Sequence, residues 1–260
     1  DVTGFDLSDD AKAALRDAGG ASAETLAEAV RAAEIVVSML PAGAHVDSVY
    51  TGDDGVLAHA PKGALLIDSS TIDVDTARKV AGAAAQAGFE MVDAPVSGGV
   101  GGAAAGTLTF MVGGTSKAFA IAEPLFTVMG NKAVHVGAAG AGQAVKICNN
   151  MILGVTMIAT CESIALGDKL GLDRQKLFDV LSTSSGASWT VNSYFPAPGV
   201  GPASPADNDY KPGFAAELMV KDLGLAQQAA ISADAVGTEG GEGRDFYAML
   251  PRFSARKRST

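Results

Sequence analysis

The stretch AGAGQAVKICNNMILG, residues 139–154, decides how the chain divides. Upstream of it, short β-branched runs alternate with helix-forming segments. From Gly142 onward GQAVKICNNMILGVTMIATCESIALGDKLG runs with helical composition and no proline. A helix of that length spans about 45 Å, suited to carrying a chain from one domain to the next. The stretch also poses a chemical question. Residues three or four apart share a helix face, so Lys146 and Asn150 point the same way, and that face continues through apolar Leu153 toward Met157. A lysine there is costly unless it is paired or loses its proton. On spacing alone two readings are open: the aliphatic stem snorkels to solvent, or the charge serves chemistry.

Working outward toward the N-terminus, Val2–Asp6 is a short run ending in an acid, and DDAKAALRDAG reads as a helix stopped by Gly19 and Gly20. AETLAEAVRAA is a second short helix. EIVVSML, GALLIDSS, FEMVDAPV and TLTFMVGG read as strands, with TIDVDTARKVAGAAAQAG as a helix between the second and third of these. Such alternation predicts a parallel sheet covered on both faces, with ligands at the carboxyl ends of the strands. Those ends are Asp6, Leu40-Pro41, Ser69-Ser70-Thr71 and Asp93 to Ser97. An acid closing the second strand of a dinucleotide fold accepts hydrogen bonds from a ribose and repels a 2′-phosphate. For Asp6 the competing reading is a turn or cap residue, since Ser8 and Asp9 follow. Ser97, Gly98 and Gly99 combine a hydroxyl with backbone N–H groups, an anion nest suited to a carboxylate, or simply a glycine-rich turn.

The glycine-rich G-x-G-x-x-G turn that should precede Asp6 is absent. In a doubly wound sheet the first strand is central, so its omission leaves a gap of roughly 10 Å. An earlier βα unit, lying ahead of residue 1, is therefore expected. Downstream, DRQKLFDVLSTSS and GFAAELMVKDLGLAQQAAISADA read as helices on either side of an irregular, proline-rich stretch. Within the second, Lys221 is a surface charge or a group that reaches a cofactor, and Asp222 a structural ion-pair or capping residue. The organisation is an α/β Rossmann-type doubly wound sheet, residues 1–138, lacking its first βα unit, joined by the long helix to an all-α domain, residues 139–260.

The 260 residues are 48% hydrophobic and 18% charged, a globular composition. A net charge of −10 argues against nucleic acid and anionic membrane surfaces as partners. The two cysteines, Cys148 and Cys161, offer no zinc spacing and no disulfide framework, so no metal site is expected and both read as buried free thiols of a reducing, cytoplasmic compartment.

DAPVSGGVGGAAAGTLTFMVGG, GQAVKICNN and KDLGLA together resemble the β-hydroxyacid dehydrogenase family, over nearly the whole chain to about residue 235. NSYFPAPGV followed by DNDYKPGF is most similar to the members that act on 3-hydroxyisobutyrate in valine catabolism. The resemblance implies Lys146 as the catalytic lysine with Asn150 beside it. It implies Ser97, Gly98 and Gly99 as holders of the substrate carboxylate, and Leu40, Pro41, Thr71 and Lys221 as contacts of the dinucleotide, NAD. It further implies a small β-hydroxyacid substrate and a homodimer or homotetramer. Relatives differ after Val236, where ADAV here runs straight into GTEGGEGRDF; an omitted segment near 236–238 is expected. The expected reaction is oxidation of 3-hydroxyisobutyrate to methylmalonate semialdehyde. The rivals are a reductase of tartronate semialdehyde or a related short β-hydroxyacid, and a non-catalytic dinucleotide-binding module.

Overall fold

The computed structural model describes residues 1–211 and 213–235. The segment near 236–238 and the GTEGGEG cluster lie outside them. Two compact units emerge, Asp1–Lys146 and Ile147–Thr260.

In the first unit the chain runs β1 (Thr3–Gly4), α1 (Asp9–Asp17), β2 (Ala21–Ser22), α2 (Leu26–Val30), β3 (Ile35–Ser38), α3 (Gly43–Thr51), α4 (Val56–His59), β4 (Leu65–Asp68), α5 (Val74–Gln86) and β5 (Glu90–Asp93). It continues through β6 (Val96–Ser97), α6 (Gly99–Ala105), β7 (Leu108–Gly114), α7 (Ser116–Met129) and β8 (Gly130–Gly137). Helix starts follow their caps. Ser8 Oγ accepts from Ala11 N at 3.3 Å, Asp73 Oδ1 from Thr76 N at 2.7 Å and Thr115 Oγ1 from Ala118 N at 3.0 Å.

β4 is an interior strand of the main sheet, flanked in parallel by β3 and β5. Its residues alternate between two cores, which is why all four are buried. Leu66 packs with Val46, Tyr50 and Val80 on one face, while Leu65 and Ile67 pack with Ala118, Ala122 and Phe126 on the other. Each such side chain withdrawn from water stabilises the fold by about 1.5–3 kcal/mol. The sheet is thus covered on both faces as expected, but it is not all parallel. β7 runs antiparallel to β5 and β6, and β8 pairs β7 in parallel. The connection that reverses the chain between β6 and β7 runs through α6 and opens at Gly98 and Gly99, whose φ of 130° and 61° a side chain would strain. Where the sequence anticipates a gap, the strands separate: β1 and β2 form their own two-stranded parallel sheet, apart from the one that contains β3.

Helix α8 (Ala141–Lys169) begins in the first unit and supplies the start of the second. In the second, α9 (Arg174–Leu181), α10 (Trp189–Ser193), a 3₁₀ turn at Pro205–Asn208 and α11 (Ala216–Ser232) follow. One core gathers Ile164, Val191 and Phe195, with the Phe178 ring edge-on to Phe195 at 5.1 Å. Another sets Leu153 and Met157 of α8 against Met219 and Leu223 of α11, so the apolar continuation of the Lys146–Asn150 face is a packing surface. By length and composition alone α8 is long and apolar enough to cross a membrane. It nonetheless buries Gln143, Lys146, Asn150 and Thr160, each bonded to protein partners. The expectation of two buried thiols fails at Cys148, which is exposed, while Cys161 is half-buried; both are free. Cys148 lies two residues beyond Lys146, which turns it to the opposite side of the helix.

Candidate active site

The carboxyl ends of β3, β4 and β5 meet in one hydrogen-bonded network within the first unit. Asp68, closing β4, is 1% exposed. Its Oδ1 accepts from Ser38 Oγ at 2.7 Å and from Ser70 Oγ at 2.6 Å. Burial pushes its pKa above the ordinary carboxylate range, against the lowering effect of those serines. Ser70 Oγ in turn accepts from Leu40 N at 2.8 Å. The Leu40-Pro41 and Ser69-Ser70-Thr71 segments, two of the expected contacts, are therefore tied to each other. Tyr50 OH lies 2.9 Å from Ser38 Oγ, and its burial drives the phenol pKa upward.

Asp93, closing β5, does something different. Its Oδ1 accepts from Gly140 N at 2.7 Å and its Oδ2 from Gln143 N at 3.0 Å. A carboxylate from a distant strand thus caps the N-terminus of α8, where the helix dipole favours negative charge. Burial raises its pKa in spite of these donors. The approach is so close that a Cβ on Gly142 would lie 2.3 Å from Met111 O and 2.7 Å from Asp93 O.

This cap fixes the position of Lys146, further along the same helix. Lys146 is 7% exposed and its Nζ donates to the Val96 carbonyl at 2.8 Å. Val96 immediately precedes Ser97 in β6, so the structure brings together the expected lysine and the expected carboxylate turn. Ser97 is half-buried, and Gly98 and Gly99 are exposed. The snorkelling reading is thereby set aside, since the amine turns inward.

In the second unit, Asn150 is 2% exposed and its Nδ2 donates to Asp222 Oδ2 at 2.5 Å. Asp222 also sits 3.5 Å from Lys221 Nζ. Sequence reasoning treated Asp222 as structural; here it holds both expected functional side chains of that unit. Asp6 is exposed and its Oδ1 accepts from Ser8 N at 2.7 Å, the turn geometry that competed with the ribose reading. It also lines a hollow of about 170 Å³ with Gly4, Phe5, Ala11, Lys12 and Leu15. Among the described residues no group of three or more His, Cys, Asp or Glu is placed to hold a metal ion.

Sequence reasoning missed Gln143 altogether. The available signal was a second polar residue one turn ahead of Lys146 in an apolar helix.

The family model described as the NAD binding domain of 6-phosphogluconate dehydrogenase matches residues 1–137. The one described as NAD-binding of NADP-dependent 3-hydroxyisobutyrate dehydrogenase matches 140–253. The chain belongs to the β-hydroxyacid dehydrogenase family. It is an NAD-dependent oxidoreductase with a Rossmann-like sheet followed by a helical domain. Pseudomonas aeruginosa 3-hydroxyisobutyrate dehydrogenase is 50% identical over 254 residues, covering 98% of this chain and 85% of the relative. The NAD-dependent L-serine dehydrogenase of the same organism is 48% identical over 246 residues, covering 95% and 83%. Among solved structures, Mycobacterium tuberculosis 3-hydroxyisobutyrate dehydrogenase with L-serine matches at a TM-score of 0.90 and 47% identity, over 96% of this chain and 84% of that one.

The residues of this dehydrogenase fit a dinucleotide at two places. Ser69 Oγ, at the carboxyl end of β4, is buried with no hydrogen-bond partner among the described residues, a polar group that a ligand there would satisfy. The hollow at Asp6 offers a carboxylate beside apolar surface. No G-x-G-x-x-G phosphate cradle occurs in the sequence.

Proposed function

We propose that this dehydrogenase oxidises the primary alcohol of a short 3-hydroxy acid, (S)-3-hydroxyisobutyrate foremost, to methylmalonate semialdehyde. The observation that carries this reading is the buried Lys146 amine, bonded to the Val96 carbonyl at the edge of the Ser97–Gly99 turn. The Ser97 hydroxyl and the Gly98 and Gly99 N–H groups take the substrate carboxylate. Lys146 as the neutral amine accepts the hydroxyl proton while the carbinol carbon loses hydride. In the reverse direction the charged amine stabilises the developing alkoxide and returns the proton. Asn150, steadied by Asp222, orients the reacting hydroxyl. Holding the acid at both ends sets the angle of hydride transfer.

NAD, when bound, supplies the hydride acceptor. Asp6 would hold its ribose and disfavour a 2′-phosphate, and Leu40, Pro41, Thr71 and Lys221 would contact the rest.

L-Serine is the second reading. It too carries a primary alcohol β to a carboxylate, and both the 48%-identical relative and the M. tuberculosis structure name it. The test is NAD reduction by 3-hydroxyisobutyrate and by L-serine, with tartronate semialdehyde in the reverse direction, alongside Lys146→Ala. A general acid–base role predicts a loss of about 10²- to 10⁴-fold in kcat with NAD affinity kept. Undiminished activity in the variant sinks the mechanism. A higher kcat/KM for serine moves the second reading to first.

A further inference from the structure

Gln143 is 0% exposed, yet every polar atom it brings to the first turn of α8 is used. Its Oε1 accepts from Ile72 N at 3.1 Å and its Nε2 donates to Ser70 O at 2.7 Å. Its own backbone N–H donates to Asp93. Ile72 N–H can only donate and Ser70 O can only accept, so the orientation of the amide is dictated by its partners. The side chain therefore bridges the two peptide groups on either side of Thr71. Only an amide of this reach matches both: a carboxylate lacks the donor, and an apolar side chain leaves a buried N–H and a buried carbonyl unpaired.

The same residue stands one turn ahead of Lys146 on a helix face. Its backbone is fixed to β5 through Asp93, while its side chain is fixed to the segment after β4. That segment is held from the other side by Asp68 through Ser70. The Ser70–Ile72 segment and the lysine-bearing turn of α8 are consequently one rigid body, with Gln143 as the fastening.

We propose that Gln143 is a positioning residue of the reaction, keeping the Thr71 segment, where the dinucleotide lies, in register with Lys146. This rests on the reading of Thr71 and Lys146 given above. It predicts that loosening the fastening degrades two things at once, cofactor affinity and the hydride-transfer geometry. A plug that merely fills the core would alter only stability.

The test uses the full chain and two variants, Gln143→Met, which keeps the volume and removes both bonds, and Gln143→Glu, which keeps the acceptor for Ile72 N–H alone. Amide hydrogen exchange of the cofactor-free protein should be faster across residues 70–72 in Gln143→Met. The NAD dissociation constant, measured well below the melting temperature, should rise about tenfold, equivalent to about 1.4 kcal/mol. At saturating NAD and acid, kcat should fall by about 100-fold in Gln143→Met, the scale of an ångström-sized misplacement, and at least as far in Gln143→Glu, whose second oxygen faces the Ser70 carbonyl. A lowered melting temperature with wild-type NAD affinity and kcat overturns the proposal. So does unchanged exchange at 70–72. If the wild-type enzyme oxidises none of the acids offered, the functional reading fails on its own, and NAD affinity and exchange still decide whether Gln143 fastens the segment.

Discussion

Asp68 and Asp93 stand directly opposite each other in the register of β4 and β5. They are the same residue, at the same place in neighbouring strands, and both have carboxyl pKa values raised by burial. Their partners differ. Two of the three donors to Asp68 are serine hydroxyls, rotors that can donate or accept, and all three converge on Oδ1. Asp93 receives fixed backbone N–H groups of α8 on both oxygens. Hydroxyl donors can re-form around a neutral group, whereas a pair of amides facing both oxygens tolerates nothing but acceptors. The first aspartate is thus a replaceable knot between two loops. The second is the anchor on which the position of Lys146 depends.

The largest expected effect comes from Asp93→Asn. It turns an NH₂ toward one of the two helix N–H groups, leaving a buried donor unpaired and uncapping α8, a loss of about 3 kcal/mol. Urea denaturation reads the stability, and NAD-dependent turnover should fall with it because Lys146 rides on the same turn. A destabilisation no greater than that of Asp68→Asn would erase the distinction drawn between the two sites. Gly142→Ala probes the same anchor from the backbone side. A methyl pressed against Met111 O and Asp93 O has nowhere to go, so a loss of about 2 kcal/mol is expected. Wild-type stability in that variant would show that α8 can back away from β5 freely.

Asp68→Asn is the smallest change and the sharpest in sign. Because the folded pKa of Asp68 is raised, its contribution to stability is full below the ordinary carboxylate pKa and is lost as pH rises through the folded value. An asparagine keeps an oxygen in the Oδ1 position and has no such titration. The variant should therefore match wild type in acid and equal or exceed it near neutrality, as followed by denaturation across pH. A variant that grows relatively weaker as pH rises contradicts this account.

The helical unit sharpens the same lesson. Asn150 and Lys221 share Asp222 as partner; the sequence marks Asp222 as an ion-pair or capping residue but not that it would meet Asn150. Nothing in KDLGLA marks its side chain as 3% exposed. Elements without strong local signals were likewise invisible. α3 has no side-chain cap, α7 contains Pro124, and β8 has no buried position after Gly130 and no regular alternation. Strands with unbroken β-branched or aliphatic runs, such as β4, and helices opened by Ser8, Asp73 or Asp173 were readable, because there the local preference and the final fold agree.

The sequence by itself determined the succession from alternating strands and helices to helices, the break in strand order ahead of β3, and the placement of Lys146 and Asn150 four residues apart on one helix. These follow from period and spacing, which are local properties of the chain. Only the tertiary structure decided that β7 would run against β5, that Asp93 would cap a helix rather than face a ligand, and that Gln143 would fasten the Thr71 segment to the lysine. The last two depend on donors and acceptors brought together from segments roughly 50 to 70 residues apart, and no local pattern records which buried amide will meet which buried oxygen.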